Sequence, residues 1–276
     1  EVFRTQKERG EAFKTLDRRI AKLREEEREH PCRKCPDIQQ HLKWGHRWAR
    51  EVRELERVRN RYDSRTGSVA RQFDRICNVL EELGYLRRAE GSVDGQVDYR
   101  LTEQGQLLRH LYSELDLVLA QAIDDGAFDG LDAAELASVV MSLIYEPRRG
   151  GGGEPRHYPG GIQGNVAVCA AQLKGVHASI AMLCEDHALG EMRQLDFGIT
   201  DVVYEWAQGE SLSRVLCGTD LTGGDFVRSC KRLADVLQQI AVAGPYLGER
   251  AETLVPIAKQ AYESVNRGIV AYSGVD

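Results

Sequence analysis

Gly223-Gly224-Asp225-Phe226-Val227-Arg228-Ser229-Cys230-Lys231-Arg232-Leu233-Ala234-Asp235-Val236-Leu237-Gln238-Gln239-Ile240-Ala241 is the stretch whose periodicity decides how the chain folds. Placed on a helix at about 100° per residue, its side chains divide into two faces. Phe226, Val227, Cys230, Leu233, Ala234, Leu237, Ile240 and Ala241 fall within roughly 140°, the width of a stripe that faces a globular core. Arg228, Arg232, Asp235 and Gln239 line up on the opposite side, within about 30° of their mean. The spacing predicts a helix over 224–243 that follows a glycine break, with Asp225 set to favour the positive end of the helix dipole.

The polar row has two readings. As a solvated face it amounts to an i,i+3 ion pair between Arg232 and Asp235, contributing about 0.2–0.5 kcal/mol. As a surface that tracks a nucleic-acid strand, it offers flat guanidinium groups for stacking and forked hydrogen bonds, with Asp and Gln to exchange bonds with bases.

The rest of the chain sets the context. Its 276 residues suffice for one large domain or two to three small ones, with a sizeable core. No stretch resembles a signal peptide and no apolar run approaches about 18 residues, so the reading is cytoplasmic, without a membrane partner. Seven scattered cysteines suit a reducing compartment better than a disulfide framework. The chain starts on Glu1 within a helical pattern, which reads as a fragment of a longer protein. The net charge of −6 conceals an asymmetry: residues 1–70 hold 19 Lys/Arg against 13 Asp/Glu, the remainder 18 against 30. Overall acidity disfavours non-specific coating of duplex nucleic acid but leaves room for a basic arm and local arginine rows.

Three regions are expected. Over 1–65, Phe13, Leu16, Ile20 and Leu23 mark one helical arm, while Trp44, Trp48, Val52, Leu55 and Tyr62 mark a second over Ile38 to Tyr62. Pro31 and Pro36 separate them, giving an antiparallel coiled-coil stalk. Cys32 and Cys35 have C-x2-C spacing and are followed by His41 and His46, a set that would suit Zn2+, with His30 as a substitute. The competing reading is two small thiols packed in a tight turn. Over 66–103, a helix from Val69 to Leu83, strands at Tyr85–Arg88 and Val97–Leu101, and the turn Gly91–Gly95 form a winged-helix-like element. Over 104–276 every segment reads as helical: 107–124, 133–145, 166–189, 199–207, 211–217, the quoted helix and 251–272, with Asp132 and Ser211 as N-cap candidates. The fold class is therefore mostly α: helical hairpin, small winged-helix-like α/β element and C-terminal all-α bundle.

No phosphate loop, nucleophile elbow, zinc-protease motif or dinucleotide fingerprint is present, and Gly150–Gly153 lacks the lysine and the strand-to-helix setting of a phosphate cradle. His177 and His187 read as core or surface histidines, and no residue is assigned a catalytic role.

Tyr204-Glu205-Trp206-Ala207-Gln208-Gly209-Glu210-Ser211, Thr219-Asp220-Leu221, Gly224-Asp225-Phe226-Val227-Arg228, Arg232-Leu233 and Asn266-Arg267-Gly268-Ile269-Val270 together resemble the C-terminal helical domain of Ski2-like superfamily 2 helicases, the HelY type of actinobacteria above all, with Mtr4 and Ski2 as more distant kin. The beginning of that domain is matched by Glu114-Leu115, Asp125-Gly126-Ala127-Phe128 and Tyr145-Glu146, and the His30-Pro31 turn resembles the family's stalk. The resemblance implies an ATP-dependent 3′-to-5′ RNA or DNA helicase, with ATP and Mg2+ held by motor domains outside this chain and no activity in the fragment alone. It implies contact with single-stranded RNA or DNA through a ratchet helix, with Arg228, Arg232 and Asp235 carried over; Asp235 stands where the family has Glu. Gln239 is added from the helical wheel alone. RNA-processing or degradation proteins are the implied partners. Two other classes remain open: a non-enzymatic protein-interaction module, and a winged-helix DNA-binding regulator.

Overall fold

The computed structural model describes residues 6–89, 98–147 and 153–272, which divide into two compact units, residues 1–70 and 71–276. The described residues are mostly helical with one two-stranded sheet. The first unit contains α1 (Gln6–Glu29), a 3₁₀ turn at Pro31–Lys34 and the greater part of α2 (Ile38–Glu82). The turn carries Pro at its start, and His30 Nδ1 accepts from the Cys32 N–H at 3.3 Å. Two expectations change here. The helices read as 38–62 and 69–83 are one continuous α2, because the polar stretch between them holds no proline, and its one glycine is tolerated inside a long helix. The seam of the expected coiled coil is uncovered: Leu16, Ile20 and Leu23 of α1 and Trp44, Trp48 and Leu55 of α2 are all exposed. Both arms are too densely charged for a few apolar residues to hold two helices together unaided.

In the second unit α2 ends in a Schellman motif. Gly84, at φ 81°, donates to the Glu81 carbonyl and Tyr85 to the Leu80 carbonyl. Strands β1 (Leu86–Arg88) and β2 (Tyr99–Leu101) pair antiparallel, Leu86 opposite Leu101; the turn expected at 91–95 lies outside the described residues. Thr102 caps α3 (Glu103–Leu108) by accepting from Gly105 N–H, and its hydroxyl donates to the Gly84 carbonyl at 2.7 Å. Gly105 passes so close to the Tyr85 carbonyl that a Cβ would overlap it.

The bundle proper comprises α4 (Asp116–Asp124), α5 (Ala133–Met141), α6 (Asn165–Asp186), α7 (Thr200–Ala207), α8 (Leu212–Val215), α9 (Gly223–Val242), α10 (Ala251–Val265) and α11 (Ile269–Tyr272). The segment expected as one helix over 107–124 is broken, because the Tyr112 N–H donates to Gln239 Oε1 on α9 and the His110 ring stacks on Tyr246, centroids 4.7 Å apart. The last helix, expected over 251–272, breaks at Gly268, where Arg267 folds back over Trp206. Asp132 caps α5 in a capping box with Glu135, as expected. Ser211 precedes α8 without a side-chain cap bond, its hydroxyl meeting Ser213 instead.

α6 corrects the statement that no apolar segment is long enough for a membrane: by length and composition it is. Lys174 and His177 interrupt its apolar run in the sequence. Its Val166, Cys169, Ala170, Leu173 and Ile180 belong to the bundle core, the pattern of a core helix.

α9 packs on α5 and α10 at the centre of that core. Phe226, Cys230, Leu233, Ala234, Leu237 and Ile240 are buried as its periodicity requires, and Val236 joins them. The glycines do not precede the helix; they form its first turn. Thr222 is the cap, its Oγ1 accepting from the Asp225 N–H and donating to Asp225 Oδ2 at 2.7 Å.

Candidate nucleic-acid interface

Burial of the apolar stripe of α9 turns its polar row outward. Arg228 is exposed and lies 3.2 Å from Asp225 Oδ1, one turn back on the same helix. Arg232 is exposed as well and approaches Glu146 Oε2 at 3.7 Å. Asp235 is exposed. Gln239 differs, since its amide oxygen is engaged by the Tyr112 N–H at 2.7 Å.

Arg228 and Arg232, though solvent-exposed, also border a cleft. With Asp225 and Ser229 they form one wall of a cleft of about 850 Å³, whose other walls come from Tyr145–Pro147, Gly198–Ile199 and Gly218–Leu221, with Arg156 between. Asp235 and Gln239 are not among its lining residues. The volume lies within the range of sites for small molecules or a few nucleotide units.

The electrostatics of the cleft are balanced. Arg156, Arg228 and Arg232 are matched by Glu146, Asp220 and Asp225. Such a site does not concentrate phosphates as a purely basic groove does. It offers instead planar donors beside acceptors, the complement of base edges and stacked rings. Burial, then the carboxylates of Asp196 and Asp225, raise the Tyr145 phenol above its ordinary value, so it stays a neutral hydroxyl at the cleft wall.

Four residues that sequence reading missed, Arg156, Arg193, Asp196 and Asp201, hold the cleft in shape. Asp201 on α7 is fully buried, and its Oδ2 accepts from Arg156 Nε at 2.6 Å. Arg156 Nη1 donates to the Cys217 carbonyl at 3.1 Å, tying the 153–158 segment to the turn before Gly218. Nearby, Asp196 accepts from the Gly153 and Gly198 N–H groups at 3.0 and 2.9 Å. Arg193 donates to the carbonyls of Leu143 and Tyr145, which fixes the turn that presents Tyr145 and Glu146. No motif signals these contacts, because all but the bond from Gly198 to Asp196 join segments far apart in the chain.

The cysteine and histidine set of the arm is only partly assembled. Cys35 Sγ lies 3.7 Å from His41 Nδ1, while Cys32 is exposed. Among the described residues no group of three or more His, Cys, Asp or Glu side chains is placed to hold a metal ion. His177 is buried with Nε2 2.7 Å from the Arg193 carbonyl, and His187 Nε2 lies 3.2 Å from Glu82.

Residues 98–273 match the DSHCT (NUC185) domain family, a stretch that contains α9 and the whole cleft lining. The chain belongs to the DSHCT family of Ski2-like helicases. The chain is 34% identical over 268 residues, 92% of its length, to "Probable helicase HelY" of Mycobacterium leprae. It is 26% identical over 217 residues, 75% of its length, to "Superkiller complex protein 2" of Homo sapiens. It is 23% identical over 251 residues, 87% of its length, to "DExH-box ATP-dependent RNA helicase DExH10" of Arabidopsis thaliana. It spans 27%, 16% and 23% of the lengths of these relatives, respectively. The cleft of the DSHCT domain also gathers Tyr145-Glu146, Thr219-Asp220-Leu221, Arg228 and Arg232, residues that carried the family resemblance in separate parts of the sequence.

Proposed function

We propose that the chain serves as the accessory C-terminal region of an ATP-dependent helicase moving 3′ to 5′ on RNA, and that the cleft beside α9 guides the single strand leaving the motor. One observation carries the reading: Arg228 and Arg232 form one wall of a cleft whose cations and carboxylates are balanced. In this reading the arginines stack on or fork to passing bases, Tyr145 donates from its neutral hydroxyl, and Glu146 and Asp225 hold the guanidinium groups in place between steps. Asp235 extends the row beyond the cleft and serves as an acceptor for a base further along. RNA is favoured over DNA because the Arabidopsis relative is named an RNA helicase. Hydrolysis of ATP with Mg2+ belongs to motor domains outside these residues, so the 276-residue chain binds a strand weakly and hydrolyses nothing.

The test is Arg232→Ala in a protein that includes the motor. The expected result is a loss in unwinding several times greater than the loss in strand-stimulated ATP hydrolysis. Equal losses in both would remove the guiding role. Sequence-specific binding of duplex DNA by the 276-residue chain would instead favour a winged-helix regulator.

A further inference from the structure

The start of α2 differs in character from the rest of the arm. From Ile38 to Arg50 the chain carries Lys43, Arg47 and Arg50 and no carboxylate. Two of the protein's three tryptophans stand in this interval, Trp44 at 60% and Trp48 at 69% exposure. They are one helical turn apart, so their rings leave the helix within about 40° of each other, with Arg47 flanking Trp44 at about 60°. Arg50 approaches Glu51 at 3.6 Å, whereas Lys43 and Arg47 have no ion-pair partner among the described residues. Further along, the exposed Leu55 and Val58 alternate with Glu51, Glu54 and Glu56, the mixed-charge pattern of a helix–helix seam. The tryptophan interval lacks that pattern.

Two exposed indoles beside cations, with Glu51 one turn beyond Trp48 and approached by Arg50, match the chemistry of single-stranded nucleic acid. Every base has a π-face that stacks on an aromatic ring whatever the sequence, while cations follow the phosphates. Positions i and i+4 on a helix lie about 6 Å apart, room for one base on each ring. We propose that Trp44 and Trp48, with Lys43 and Arg47, form a single-strand contact on the arm that tolerates any base sequence. This contact uses none of the residues that line the cleft beside α9 and does not depend on it.

Tryptophan fluorescence tests it directly. Trp206 is buried, 3% exposed, and donates from Nε1 to the Val265 carbonyl, so changes on titration report the arm. Oligoadenylate about twelve nucleotides long, added to the 276-residue chain at about 50 mM salt, is expected to quench the emission. Trp44→Ala and Trp48→Ala should each raise Kd about 5- to 100-fold. Trp44→Phe should keep most of the affinity and Trp44→Leu should behave like Ala, since stacking needs a ring. Arg47→Gln should lower the slope of log affinity against log salt by about 0.7. The double variant Arg228→Ala/Arg232→Ala should still be quenched, which separates this contact from the cleft. The proposal is overturned if saturating oligoadenylate leaves the emission unchanged, or if Leu serves as well as Phe. It is equally overturned if the free protein emits at short wavelength and resists iodide, because a helix then already covers the rings.

Discussion

Arg156 reaches Asp201 across 45 positions of the chain, Nε to Oδ2 at 2.6 Å, and the carboxylate it meets is fully buried. The guanidinium is partly exposed, so solvent screens its own attraction. Most of what the pair contributes is therefore avoidance of an unpaired buried charge, since Asp201 Oδ1 has no hydrogen-bond partner among the described residues.

Arg156→Ala is expected to lower stability by about 2–3 kcal/mol, and Asp201→Asn by less, because a neutral amide is less costly to bury than a carboxylate. Urea unfolding would show this as a lower midpoint with an unchanged slope. A midpoint equal to that of the parent protein would mean that the carboxylate finds water or another donor.

Two glycines should respond in opposite directions. A Cβ at Gly105 overlaps the Tyr85 carbonyl oxygen, a backbone atom tied into the junction between α2 and α3, so Gly105→Ala should cost about 1–3 kcal/mol. Gly175 lies in the exposed face of α6 with open space around it, so Gly175→Ala should add about 0.5–1 kcal/mol. Thermal or urea unfolding of the pair checks both signs in one experiment.

The bundle should be sensitive to alkali. Burial pushes the Cys169 thiol from its ordinary 9.0 up to about 12, with Glu135 adding to the shift, and burial raises the Tyr85 phenol as well. Both groups stay protonated in the fold at pH values where the unfolded chain releases its protons. Above about pH 9 the unfolded state therefore binds fewer protons than the folded one, and stability falls as pH rises toward 12, having been fully present below. Cys169→Ala should show a shallower loss over that interval when unfolding is measured at successive pH values.

Gln239 should separate from the arginines it aligns with. Because its oxygen accepts the Tyr112 N–H, Gln239→Ala is expected to reduce stability by about 1 kcal/mol. Its effect on single-strand affinity should be smaller than that of Arg232→Ala. Equal effects on affinity, measured by anisotropy of a labelled strand, would return Gln239 to the binding row.

These contrasts show what a one-dimensional reading reaches. α9 was legible because six of its side chains are buried at helical spacing and nothing local competes with that period. Its cap was misread because two glycines looked like a break, whereas Thr222 needs only one hydroxyl to start a helix across them. The hairpin of β1 and β2 was legible from its flanking glycines and its alternation. The breaks after Leu108 and Val265 were not, since each is set by a distant partner, Gln239 in one case and Trp206 in the other. The site divides along the same line. Arg228 and Arg232 could be found from their own helix, but nothing near Arg156 in the sequence indicates that it meets Asp201.

The clamp on Trp206 has a further consequence, for the order in which the molecule is made. Arg267 lies over the indole at 3.7 Å and donates to the carbonyls of Trp206 and Glu210, while Trp206 packs edge-on against Phe226 and donates to Val265. During synthesis the ribosome delivers Trp206 and Phe226 well before Val265 and Arg267. Until those later residues emerge, the indole has neither its lid nor the acceptor for its N–H. The nascent bundle thus waits with its largest aromatic side chain unshielded, and a pause in translation between codons 226 and 265 is the interval in which a chaperone has most to cover.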